Sequence, residues 1–170
     1  MIEFNLILAT VNPNASSSMF WRLMIGTVLM LTCGHLGENH FLPGRPATIG
    51  FILGLSGWGY ILSEIFTGEA GNVAAGADVN KYVAPSFKTM RIIVTVGWSI
   101  YPLGYFFGYL QGAVDSDALN LVYNLADFVN KIAFCLAIWA CAKSSTLEKE
   151  HALIPRTSGT VAGTSSYGRV

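Results

Sequence analysis

The chain has 170 residues, 52% of them hydrophobic and only 12% charged, well short of the roughly 25% charge of a soluble domain. Ten Lys and Arg balance ten Asp and Glu, so there is no basic field to attract nucleic acid. These figures exclude a nucleic-acid binder, argue against a soluble enzyme and match a polytopic membrane protein.

Residues 1–11 are apolar but too few to span a bilayer, which takes about 20. They read as half of a transmembrane helix. No basic region precedes them and Glu3 stands near the start, so they do not read as a signal peptide. Asn12 to Ser18 is a polar turn with Ser16 to Ser18 as helix-cap candidates.

Full spans are predicted over about residues 19–36, 47–66, 86–112 and 118–142. The loops between them hold Pro43-Gly44-Arg45-Pro46, then a Gly/Ala-rich stretch with Glu69, Asp78 and Lys81, then the tight turn Asp115-Ser116-Asp117. Residues 1–143 form the membrane part. Residues 144–170 turn polar and are expected to be a disordered cytoplasmic tail. The spans are expected to be helical, because lipid offers an open strand edge no partner. The fold class is therefore all-α, a polytopic membrane helix bundle. Gly50 and Gly54, and Gly104, Gly108 and Gly112, are spaced for close helix contact.

Arg22, Lys81, Lys88, Arg91 and Lys143 flank one side of the membrane and Arg45 the other. The basic-rich side is expected to be cytoplasmic, and with it the C-terminus. Cys33, Cys135 and Cys141 lie in apolar runs and are odd in number, which argues against a disulfide framework. His35 and His40 have no metal-ligand partners at useful spacing, so no metal site is expected. Glu38 and Glu64, at span ends, read as interfacial.

Asp127 and Lys131 lie deep in the last span. Lys131 is about 21 Å along a helix that begins near Asp117. A charge there costs roughly 2.5–3.5 kcal/mol on insertion scales. The two are four residues apart and share a face, which Asn120 and Asn124 extend one way and Phe134, Cys135, Ile138 and Ala142 the other. Two readings stand: a structural ion pair, or a reactive lysine with its counterion. Dry surroundings and a nearby carboxylate suit an amine to Schiff-base chemistry. In the third span Trp98, Tyr101 and Tyr105 form one stripe with Pro102 beside it, which reads as aromatic packing with a proline kink or as a ligand wall. Trp58 and Met30 lie mid-span elsewhere. Glu3 reads either as a helix-end carboxylate or as a buried acid that exchanges a proton.

Gly97-Trp-Ser-Ile-Tyr-Pro-Leu-Gly-Tyr105 and Tyr123-Asn-Leu-Ala-Asp-Phe-Val-Asn-Lys131 resemble microbial (type 1) rhodopsins, closest to the proteorhodopsin group. They match that family's sixth-helix Trp-x-x-Tyr-Pro and seventh-helix Asp-x-x-x-Lys. Residues Glu3 to Leu8 look like the cytoplasmic half of its third helix, Met24 to Glu38 like the fourth and Phe51 to Phe66 like the fifth. The resemblance covers about residues 1–143. It lacks two helices and half of a third, so the sequence is expected to be a C-terminal fragment of a seven-helix rhodopsin.

The resemblance implies all-trans retinal held as a Schiff base on Lys131, with Asp127 as a counterion. It places Trp98, Tyr101 and Pro102 along the polyene and Trp58 and Met30 near the ring. Glu3 would be the cytoplasmic proton donor. Asn5 departs from the Tyr common among close relatives. The implied activity is a light-driven outward proton pump, a photoreceptor protein whose partners are retinal and the lipid membrane, with a homo-oligomer open and no enzyme reaction in the usual sense. The alternatives are a photosensory rhodopsin that signals to a transducer, a light-driven transporter of another ion, and a helical membrane subunit without retinal.

Overall fold

A computed structural model describes residues 2–9, 17–76 and 81–153; of the predicted turn over 12–18 only Ser17 and Ser18 are described, as the start of a helix, and Asp78 and the tail beyond residue 153 lie outside them. Among the described residues every regular element is a helix. The first, α1, spans Ile2–Ala9. Next come α2, Ser17–Glu38, and α3, Pro46–Phe66. Pro46 opens α3 at a position where its missing N–H costs nothing. At the other end of the connection, α2 stops in a left-handed cap: His40 has φ 59°, and the Phe41 N–H reaches back to the Leu36 carbonyl at 3.0 Å.

A short helix, α4 (Glu69–Ala75), follows α3. The third span is not one helix, as the sequence predicted. It begins as α5, Val83–Thr95, tightens to a 3₁₀ turn over Gly97–Ser99, resumes as α6, Ile100–Tyr105, and widens to a π turn over Phe106–Leu110. Pro102 contributes no N–H to the ladder, and such losses break or kink helices.

The last helix, α7, spans Ser116–Leu153 and has 38 residues, about 57 Å. It corrects the expected start of a disordered tail at residue 144. Residues 144–153 contain no Gly or Pro and include Leu147, Glu148, Lys149, Glu150 and Ala152, all good helix formers. The Lys81 ammonium, in the turn before α5, pairs with Glu148, and the Thr146 hydroxyl donates to the Ala142 carbonyl at 3.0 Å. The pairing holds the Lys81 pKa above its ordinary value.

Four helical stretches are long and apolar enough to cross a membrane: Ser17–Glu38, Pro46–Ala75, Val83–Leu110 and Ser116–His151. The protein is an integral, multi-pass membrane helix bundle. Its buried core gathers at one end, where Phe4 and Leu8 of α1 meet Met19, Leu23, Ile61, Ile65, Phe87 and Met90. Phe4 sits edge-on to Phe87 at 5.2 Å and to Phe134 at 5.6 Å, which ties α1 to both α5 and α7.

Glu64 lies at this same end, near the end of α3, and it is buried. Arg22 of α2 donates to both its oxygens, at 2.8 and 3.1 Å, and to Glu69 at 2.7 Å. The Ala70 N–H donates to Glu64 as well, at 3.2 Å. A buried carboxylate persists only with such partners, and here they lock α4 under α2 and α3.

The α2–α3 pair is held by glycine. A Cβ on Gly50 would stand 2.6 Å from the Gly37 Cα and 2.7 Å from the Cys33 carbonyl oxygen; one on Gly57 would stand 2.7 Å from the Met30 nitrogen. These neighbours are backbone and cannot swing aside. Gly50→Ala should therefore destabilise the helix pair by about 1–3 kcal/mol, the usual cost of overpacking. Gly34→Ala, on the same helix pair but with nothing within 4 Å of the added carbon, should be neutral or gain about 0.5–1 kcal/mol. Reversible unfolding in mixed micelles measures both; equal losses would contradict the close approach.

Candidate functional site

Lys131 and Asp127 are brought together one helical turn apart on α7, with Lys131 Nζ 2.5 Å from Asp127 Oδ2. The other carboxylate oxygen accepts a hydrogen bond from the Tyr101 hydroxyl. One acid thus lies between a cation on its own helix and a phenol from the broken third span.

Around this pair runs a cleft of about 620 Å³ between α2, α3, the broken span and α7. That is the size of pocket that takes a drug-sized molecule. Met30, Trp58, Trp98, Tyr101 and Pro102 all line it. Glu3 borders the same cleft and is exposed, not the buried acid that one reading of the sequence offered. The indole N–H of Trp58 donates to the Val94 carbonyl at 3.0 Å, which fixes that ring across from the break.

The cleft is not closed all round. The Lys131 side chain is 75% exposed and that of Asp127 is 43% exposed. The packed face of α7 is also not the stripe read from the sequence. Asn120, Asn124 and Lys131 are exposed, whereas Leu119 is buried and Tyr123, Asp127, Asn130 and Phe134 are at least partly covered. The ion pair therefore lies along the edge of the packed face, with the amine on the open flank. Of the four residues expected to form a dry stripe, Phe134 and Ile138 pack against the core, and Cys135 and Ala142 are exposed.

Two polar residues here were missed by sequence reasoning. Asn130 donates to the Gly97 carbonyl at 3.0 Å, and the Tyr123 hydroxyl donates to the Tyr101 carbonyl at 3.0 Å. A signal was present: Tyr123, Asp127 and Asn130 are spaced four and three apart, a polar stripe on one helix face. What the sequence alone did not show is that their partners are backbone carbonyls.

Comparison with known proteins follows the same pattern. The family model described as bacteriorhodopsin-like protein matches residues 1–145. The blue-light absorbing proteorhodopsin of Gamma-proteobacterium Hot 75m4 is 44% identical over 144 residues, 84% of this chain and 55% of that one. The green-light absorbing proteorhodopsin of Gamma-proteobacterium EBAC31A08 is 45% identical over 144 residues, 82% of this chain and 54% of that one. Among solved structures, the blue light-absorbing proteorhodopsin from Med12 superposes with a TM-score of 0.66 at 41% identity, covering 85% of this chain and 60% of its own. The Exiguobacterium sibiricum rhodopsin gives 0.73 at 25% identity, covering 86% and 66%. The chain spans about half the length of the two sequence relatives.

Proposed function

This chain belongs to the bacteriorhodopsin-like family, and from that premise we propose that it serves in a light-driven outward proton pump whose chromophore is all-trans retinal. The observation that carries the reading is the Asp127–Lys131 pair at the head of an aromatic cleft in mid-span. Of the chain's five lysines, the others lie at span ends or beyond. The names of the relatives, proteorhodopsins that absorb blue or green light, support it.

The residues present suit the group. Lys131 would hold retinal through Nζ, and the long apolar cleft beyond it matches a flat, extended hydrocarbon. Trp58, Trp98, Met30 and Pro102 would wall that hydrocarbon and keep water from it. When bound, retinal supplies light absorption and a photoisomerisation that no side chain supplies.

This chain's own groups do the rest. Asp127 holds negative charge beside the Lys131 nitrogen and so favours a proton there. Tyr101 keeps the Asp127 carboxylate in place by donating to its far oxygen. Glu3, on the α1 side of the cleft, would return a proton to the nitrogen from the cytoplasmic side. The Phe4–Phe134 contact between α1 and α7 would keep that side dry between turnovers. The basic-rich end, with Arg22, Lys81, Lys88, Arg91 and Lys143, would face the cytoplasm, and with it the C-terminal end of α7. No soluble substrate is turned over in this reading, so it is not enzyme catalysis.

The open flank at Lys131 belongs to the proposal. An apolar chromophore there needs a further wall, which other membrane helices would supply. The functional experiment therefore uses residues 1–170 in membranes with all-trans retinal, alone and with the EBAC31A08 segment that the match leaves uncovered, added as a separate chain. Stable colour and light-driven acidification outside are expected with both pieces and not from residues 1–170 alone. A millisecond photocycle supports pumping; a cycle of seconds supports a photosensor instead.

Lys131→Ala should abolish covalent retinal and the visible band in that two-piece preparation. Colour that survives on another residue would contradict the assignment.

Asp127→Asn keeps the lysine but removes its negative partner. The positively charged, visible-absorbing form should then give way to the near-ultraviolet form at a lower pH than in the unaltered protein. A pH titration of the visible band checks this, and an unchanged or higher midpoint would remove Asp127 from the counterion role.

A further inference from the structure

The Val94, Gly97 and Tyr101 carbonyls lie along the interrupted third span. Here each accepts from a side chain on another helix: Trp58 to Val94, Asn130 to Gly97 and Tyr123 to Tyr101, each at 3.0 Å. Two of these three donors lie on α7, and Asp127, which accepts from the Tyr101 hydroxyl, lies between them. Tyr123, Asp127 and Asn130 thus meet the broken span as three consecutive rungs.

A Cβ on Gly97 would stand 2.3 Å from Asn130 Oδ1 and 3.0 Å from its Cγ. An added carbon there would displace the Asn130 side chain from the carbonyl that it binds.

We infer that Asn130 is a positioning residue: its bond to the Gly97 carbonyl sets the register of α7 against the broken span, so that the Tyr101 hydroxyl stands at Asp127. Gly97 and Tyr101 are one turn apart on the span, as Asn130 and Asp127 are on α7. Fixing one rung therefore fixes the other. Asn130 precedes Lys131 in the chain and both border the cleft, but Asn130 donates to the third span while the amine pairs with Asp127. The purpose of this placement rests on the retinal reading above; the placement itself does not, and its test needs no retinal.

The test uses residues 1–170 in lipid nanodiscs without retinal. The carboxylate infrared band of Asp127 is isolated by subtracting the Asp127→Asn spectrum. Tyr101→Phe removes the phenol donor and sets the position of the released band. Asn130→Ala should move the band to that same position, and Asn130→Ala with Tyr101→Phe should move it no further. Asn124→Ala, an exposed polar residue on the same helix, should leave the band in place. Gly97→Ala keeps Asn130 but displaces it, so it should also release the band; it carries the test if Asn130→Ala does not fold. Adding Asn130→Ala to Gly97→Ala should return part of the lost thermal midpoint, because the added carbon then has room.

A band that stays put in both Asn130→Ala and Gly97→Ala, with only the thermal midpoint lowered, would overturn the inference and leave Asn130 a packing residue. So would shifts from Asn130→Ala and Tyr101→Phe that add. Failure of the retinal reading would look different: no colour from the two-piece preparation, with the infrared shifts intact.

Discussion

A polar group inside a membrane bundle has no solvent to turn to, so each must find its partner within the protein. The structure is organised around meeting that demand where the third span breaks. Pro102 removes one backbone donor, and the 3₁₀ turn over Gly97–Ser99 redirects others. Trp58 of α3 and Asn130 and Tyr123 of α7 donate to the Val94, Gly97 and Tyr101 carbonyls along that span. Each of these bonds is also a tie between helices. The broken span is thereby fastened to two others, and the cleft is formed among the helices so fastened.

The same demand explains the cluster at the other end. Glu64 is buried because Arg22 and the Ala70 N–H satisfy it, and Arg22 in turn spans Glu64 and Glu69. A charge set of this kind fixes α4 beneath the ends of α2 and α3. Above it, glycines let α2 and α3 meet backbone to backbone, the means by which membrane helices associate when water cannot drive them together. Packing and polar satisfaction thus divide the molecule. Apolar contact makes the α1 end solid, and hydrogen bonds shape the open cleft around Lys131.

Much of this was legible in the sequence. The membrane spans announce themselves by length and apolarity, and the Asp127–Lys131 pair by its spacing on a helix. Trp58, Trp98, Tyr101, Pro102 and Met30 were expected to line one slot, and they do. What stayed hidden depended on distant partners. The burial of Glu64 stayed hidden because Arg22, which permits it, lies 42 residues away. Asn130 looked like one more polar residue in a span because its partner, the Gly97 carbonyl, lies 33 residues away. The packed face of α7 was misjudged by one position, since Lys131 drew the stripe toward itself while packing favours Asn130. The helix beyond Lys143 was hidden by its charge, although its residues are good helix formers.

The central claim is that Lys131 is where the chromophore is held, and one measurement reaches it directly. The two-piece preparation is loaded with all-trans retinal and reduced with borohydride under light, which fixes any imine as a stable secondary amine. Proteolysis and mass spectrometry then locate the added mass. The account predicts a single retinyl group on the peptide that carries Lys131. A retinyl group on Lys88 or Lys143, or none on this chain when a full-length proteorhodopsin treated in parallel is labelled, would contradict it.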